Sequence, residues 1–157
     1  MTASRAAAMP SPQYAVLRSR FPATANDVSI QLARLHRAFD ATGLRLSLQH
    51  DVTIVLGEVL NNIVEHAMTD IGAAWVMLEV TREDGRLHVE TTDRGRPLPP
   101  ALLASVDLPE AKLPIDDLPE GGFGWFIIHT LTEDMVYERQ DGINRLSFSF
   151  LEQADEG

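Results

Sequence analysis

The apolar positions of the chain fall into a series of short periodic runs. From Gln13 to Phe21 they alternate, with Tyr14, Val16 and Arg18 on one side and Ala15, Leu17 and Ser19 on the other. That pattern predicts a strand, ended by Pro22. A helical spacing follows, in which Ile30, Leu32, Ala33, Leu35 and Phe39 recur up to about Thr42, with Asn26 or Asp27 as the cap and Gly43 as the stop. Ser47 is placed to cap a second, longer helix running to about Met68. Its apolar residues, from Val52 and Ile54 through Leu60 to Ala67, surround most of the circumference, which predicts a largely buried helix. Alternation returns at Ala74 to Val80 and at Arg86 to Thr92, joined by the turn residues Glu83-Asp84-Gly85. Between Asp93 and Gly124 the periodicity dissolves, and six of the nine prolines lie there. A loop of that length in a small domain is a functional lid or a disordered segment. A helix from about Gly124 to Leu131 and two strands, Met135 to Arg139 and Arg145 to Leu151, complete the chain, with Gln140-Asp141-Gly142 as their turn.

Strands and helices do not alternate one to one, which argues against a doubly wound parallel sheet. The order predicts an α+β domain, a two-layer α/β sandwich with a mostly antiparallel mixed sheet and helices on one face. A single domain over residues 13–151 is expected, with flexible ends at 1–12 and 152–157. Composition narrows the function. The 157 residues carry 23 Asp and Glu against 13 Lys and Arg, a formal net charge of −10, and Lys112 is the one lysine. Scattered arginines on an acidic chain argue against nucleic acid and against an anionic membrane surface. Cysteine is absent, which removes disulfides and thiolate chemistry. No apolar run approaches the length of a membrane span, and the first residues do not read as a secretory signal. A cytoplasmic protein is expected.

Chemistry concentrates in three places. On the long helix, Glu58, Asn62 and His66 stand four residues apart in one file, beside Asn61 and Glu65. The file suits a site built from a proton acceptor and a neutral oxygen ligand for Mg²⁺. It equally suits the wet edge of an amphipathic helix. Thr92-Asp93-Arg94-Gly95 follows directly on a strand, where a carboxylate can accept from an exocyclic amine and Gly95 leaves room for a flat base; Asp-x-Gly is also a common turn. Gly121-Gly122-Phe123-Gly124 opens a helix, so backbone N–H groups face outward toward an anion, or the segment is a hinge. No Gly-Lys-Ser/Thr follows, so it is not a Walker loop. Phe126, Ile127 and Ile128 are assigned to the core, and Trp125, at the helix start beside the lid, to either core or binding surface. Arg34, Arg37 and Asp40 on the first helix are read as a solvated face.

The order of these segments resembles the histidine-kinase-like ATPase superfamily, whose nucleotide-binding domain has the Bergerat fold. Within it the chain is similar to the anti-sigma-factor serine/threonine kinases. EVLNNIVEHA matches their N-box, DRGRPLPP their first glycine box, and LPEGGFGWFIIHTLTEDMVYER their second, over roughly residues 14–150 in all. The resemblance implies ATP and Mg²⁺ as cofactors, with Glu58 as general base for a serine hydroxyl and Asn62 as the Mg²⁺ ligand. It implies that Asp93 binds the adenine amine and Gly95 lies against the base. Gly122 and Gly124 would bracket the phosphate turn, and Asn144 would stand where many relatives place a threonine near the adenine. Residues 98–121 would be the lid. The implied partners are an anti-anti-sigma protein and a sigma factor, with a homodimer possible for the group. One departure stands out: the stretch before the second glycine box reads Leu118-Pro119-Glu120-Gly121, an acid where relatives often carry a cation. It places the charge balance of phosphoryl transfer, more than nucleotide binding, in question, and leaves a non-catalytic, nucleotide-dependent binding switch as the alternative.

Overall fold

The structure, a computed structural model, describes residues 13–67, 74–103 and 122–153. The expected flexible end at 1–12, residues 154–157 of the expected tail, Glu120 and Lys112 of the lid, and the turn near Gly72 lie outside the described residues, whereas Glu152, assigned to that tail, is held by Arg82 and by the Gly85 carbonyl. Nine elements follow in order: β1 (Tyr14–Pro22), α1 (Ala25–Phe39), α2 (Leu46–Glu65), β2 (Trp75–Glu83), β3 (Arg86–Asp93), α3 (Pro100–Leu103), α4 (Gly122–Leu131), β4 (Glu133–Gln140) and β5 (Ile143–Leu151). The strands form one sheet in the order β1-β2-β3-β5-β4. The expected α+β sandwich is what the chain forms, but every neighbouring pair is antiparallel rather than mixed.

Both two-residue hairpins have the turn chemistry that the sequence suggested. Asp84-Gly85 and Asp141-Gly142 take positive φ at both positions, 52° and 71° in the first and 54° and 76° in the second. That pair of angles matches the right-handed twist of the flanking strands, and only a few residue types adopt it cheaply. The register then puts Val76, Leu78 and Val80 of β2, Leu87 and Val89 of β3, and Leu146, Phe148 and Phe150 of β5 in the core, against α1, α2 and α4. The other sheet face carries exposed Met77, His88, Glu90 and Arg145. Ion pairs on it such as Arg18–Glu79 are solvated and contribute little.

The helices depart from the reading in instructive ways. Thr24, not Asn26 or Asp27, is the N-cap of α1, its hydroxyl accepting from the Asp27 N–H. The buried stripe of α1 is Val28, Gln31, Leu35 and Phe39, while Ile30 is 46% exposed. Arg45 precedes α2 without a side-chain cap, and Ser47 lies inside the first turn. Val52, Val55, Leu56, Val59, Leu60 and Ile63 are buried, but Ile54 is 48% exposed, so α2 has one open side. In α4, Trp125 and Ile128 are buried at a spacing of three, whereas Phe126 and Ile127 are only partly covered, which corrects their assignment to the core. The one-turn helix α3 went unforeseen, and it buries Leu102. No helix among the described residues is long and apolar enough to cross a membrane.

Leu56→Ala, at a fully buried position of α2, is expected to cost about 2–5 kcal/mol. Ile54→Ala, two residues away on the open side, is expected to change stability by less than about 1 kcal/mol. Urea unfolding midpoints at constant m-value compare the two.

Candidate functional site

A crevice lies between the C-terminal half of α2, the facing ends of β3 and β5, and the start of α4. Each element arrives there for a local reason. The apolar stripe of α2 packs on the sheet, so the residues at its margin, Asn62 and His66, border the crevice. The alternation of β3 carries Thr91 and Asp93 to the same side as Leu87 and Val89. Cross-strand pairing then sets Asn144 of β5 opposite Asp93.

Asp93 is buried, 8% exposed. Its Oδ1 accepts from the Gly95 N–H at 2.8 Å and from Asn144 Nδ2 at 3.0 Å. No described residue bonds Oδ2. Burial pushes the carboxyl above its ordinary range, and those two hydrogen bonds, with the charges of Arg139 and His66 nearby, hold it down in part.

Asn144 is saturated by the protein. Its Nδ2 also reaches the carbonyls of Gly95 at 3.1 Å and Arg96 at 3.0 Å. Its Oδ1 accepts from the Tyr137 hydroxyl at 2.6 Å and Arg139 Nη1 at 2.7 Å. Arg139 Nη1 also donates to the Gly95 carbonyl at 3.0 Å, and Tyr137 Oη accepts from the Leu98 N–H at 3.1 Å. The amide therefore holds Asp93 and the following turn in place and has no donor or acceptor left over. Tyr137 and Arg139 were missed in the sequence. Their one signal there is that they alternate along β4, with Arg139 paired across the Asp141-Gly142 hairpin to Asn144.

The two glycine boxes are explained by close approach. A Cβ on Gly95 would fall 2.7 Å from the carbonyl oxygen of His66 and 3.0 Å from Asp93 Oδ1. His66 ends α2, and its carbonyl, one of the unpaired groups of a helix terminus, accepts from the Arg96 N–H at 3.1 Å. The turn after β3 thus closes the end of α2, and His66 contributes through its backbone as well as its ring. Gly122 and Gly124 lie in the first turn of α4. A Cβ on Gly124 would collide with Oε2 of Glu58, so the carboxylate rests on the opening turn of that helix. Glu58 itself is exposed and Asn62 half-buried.

Cations are sparse. Arg96 is exposed at the rim of the crevice. Arg94 lies 5.7 Å from the ring centre of Trp75, beside Arg20 at 4.5 Å. Among the described residues no group of three acidic or histidine side chains forms a metal cage.

Gly95→Ala is expected to displace the turn and lower stability by about 1–3 kcal/mol. Gly57→Ala, mid-helix in α2 with its nearest neighbour 3.9 Å away, is expected to stabilise by about 0.5–1 kcal/mol. Thermal melts of the two variants check the contrast.

Comparison with known proteins agrees with this geometry. The profile of the histidine kinase-like ATPase domain matches residues 21–150. A serine-protein kinase RsbW of Bacillus mycoides (strain KBAB4) is 24% identical over 143 residues, covering 90% of this chain and 88% of the relative. The enzyme of the same name from Halalkalibacterium halodurans is 28% identical over 104 residues, 66% of this chain and 63% of its own. In structure, a chain of the SiaB–SiaC complex from Pseudomonas aeruginosa aligns with a TM-score of 0.61 at 22% identity, over 87% of this chain and 90% of that one. The RsbU and RsbW domains of a Mycobacterium tuberculosis protein align at 0.59 and 19% identity, over 90% of this chain and 33% of the longer one. The resemblance read from the N-box and the glycine boxes therefore stands, and the chain belongs to the histidine kinase-like ATPase family.

Proposed function

We propose that this protein is an ATP-dependent serine/threonine protein kinase that phosphorylates an anti-anti-sigma partner and holds a sigma factor while that partner is phosphorylated. One observation carries the reading. A buried carboxylate with one oxygen unbonded among the described residues (Asp93) and an amide on the facing helix (Asn62) line one crevice, and one turn earlier on that helix a carboxylate (Glu58) rests on the opening turn of α4. The kinase names of the relatives support the activity, and a neighbour solved in a protein–protein complex supports a protein partner.

In this reading Asp93 accepts the exocyclic amine of adenine, and Asn144 keeps it turned toward the base. The first turn of α4 offers its unpaired N–H groups to the phosphates, with Gly122 and Gly124 allowing the close approach. Glu58 takes the proton of the partner's serine hydroxyl as its oxygen bonds to the terminal phosphorus and the bond to the leaving ADP oxygen breaks. The donor set fits Mg²⁺ as an ion that comes with the nucleotide: a half-buried amide oxygen, without a cage of carboxylates, leaves most of an octahedron to phosphate oxygens and water. Asn62 would hold it, and it would supply charge neutralisation at the phosphates. The crevice has a cavity volume of about 20 Å³, less than a purine requires, so occupation opens it.

The second reading, sequestration without turnover, is favoured by Glu120 before the second glycine box and by Arg96 as the one arginine lining the crevice among the described residues. Labelling of the cognate antagonist with Mg²⁺-ATP separates the two. Glu58→Gln is expected to slow transfer by about 10²–10⁴-fold with ATP affinity unchanged. A chain that binds ATP and controls its partner equally well with and without Glu58 selects the switch.

Asp93→Asn is expected to lose ATP binding in calorimetry, with or without Mg²⁺. It should not lose stability. Because burial raises the carboxyl in the folded state, ionised Asp93 costs stability at neutral pH, and that cost fades as pH falls through the raised value toward the ordinary carboxylate range. The variant should therefore melt at or above the parent at pH 7, with the difference shrinking toward pH 4. A variant that melts lower at pH 7 contradicts the sign.

A further inference from the structure

Two polar atoms at the crevice remain unexplained by the roles above. Thr91 Oγ1 and Trp125 Nε1 are buried and have no hydrogen-bond partner among the described residues. Both residues line the crevice with Asp93, and they are 1% and 3% exposed. Folded proteins seldom leave such groups unpaired, because the lost contact with water is not recovered, and the usual explanation of an exception is a ligand or an ordered water. The choice of residue sharpens the point. Thr91 continues the helix-facing row of Leu87 and Val89 on β3, between Leu78 of β2 and Leu146 of β5. Valine has the same shape and would fill that position without a hydroxyl to satisfy. Trp125 occupies a core position of α4, where leucine would spare the buried N–H; its ring leans on His129 at 5.8 Å between centroids, and its N–H is left over.

We propose that Thr91 and Trp125 are specificity-determining residues that serve the ring nitrogens of the bound purine, directly or through one water. The proposal rests on the nucleotide reading and extends it. Asp93 can only accept, and so takes the amine. The indole N–H can only donate, and the threonine hydroxyl can donate or accept. An amine donor set in a flat apolar ring system with adjacent acceptor nitrogens answers that combination. Val59, Ile63 and Leu146 supply the apolar walls.

The test uses the intact chain and calorimetric affinities for ATP and its 1-deaza, 3-deaza and 7-deaza analogues, in which one ring nitrogen becomes C–H. For the parent protein, at least one analogue is expected to bind about 5- to 30-fold more weakly than ATP, the size of one lost hydrogen bond. In Thr91→Val or Trp125→Phe that penalty should collapse to within about twofold, because the missing nitrogen no longer has a partner. Thr91→Val preserves shape and so covers the case in which Trp125→Phe fails to fold. If no analogue is penalised, or the penalty persists in both variants, the proposal is overturned while ATP binding stands. If the parent protein binds no ATP, the nucleotide reading falls, and this proposal with it.

Discussion

The crevice exists because the turn after β3 comes within backbone contact of the last turn of α2. A Cβ at Gly95 would stand 2.7 Å from the His66 carbonyl oxygen, so the turn can lie there only as glycine, and Arg96 then closes that carbonyl with its N–H. A helix ends with carbonyls that have no partner of their own. Here one of them is used to fasten the helix layer to the sheet layer beside Asp93. The same contact fixes the C-terminal end of the file Glu58, Asn62 and His66 relative to the carboxylate. Two members of that file, Asn62 and His66, thereby border the crevice, while Glu58 stays exposed.

Burying Asp93 works against stability, and the surrounding structure offsets part of that cost with polar groups committed to it. Asn144 ties the carboxylate to β5 and to the turn, while Tyr137 and Arg139 hold Asn144 from β4. The chain thereby extends the candidate site two strands outward from Asp93. A threonine in that place has one hydroxyl; an asparagine has a donor and an acceptor end, and here both are engaged. Asn144, which the resemblance placed near the adenine, lines the crevice and spends both ends on Asp93, the turn and β4. A carboxylate pinned through one oxygen presents the other in a fixed direction, which is the preorganisation that recognition of a single amine needs.

Much of this was legible along the chain, and the part that was not shares a cause. The Asp-Gly hairpins, the α2 stripe and the glycine boxes are local: a few neighbouring residues state their own geometry. The antiparallel sheet followed from the order of elements. Thr24 as the α1 cap was displaced by two acceptable candidates just after it, Asn26 and Asp27, since several capping residues in a row leave the boundary open by a turn. The core side of α1 was set by Val28 and Gln31 against the sheet rather than by the most apolar residue, Ile30. Tyr137, Arg139, Thr91 and Trp125 could not be read, because their meaning depends on which atoms they meet across strands. A saturated amide and an orphaned indole N–H look alike in one dimension.

The acidity of the chain bears differently on the two ends of the site. In the proposed reading the base end needs no cation, because a neutral amine and ring nitrogens would be matched by one buried carboxylate and by neutral donors. The phosphate end has the opposite need. Of the arginines around the crevice, Arg139 is bonded to Asn144 and Gly95, Arg94 lies toward Trp75, and Arg96 is the one that lines it among the described residues. Glu58 already places a negative charge on the opening turn of α4. Phosphates brought there meet backbone dipoles and a carboxylate, so their charge must be balanced by an ion arriving with them or by a group from the partner. In that reading the two ends rest on different elements, β3 and β5 for the base, α2 and α4 for the phosphates. Binding and turnover would therefore be separable: the charge that governs transfer could change without disturbing the hydrogen bonds proposed to select the base.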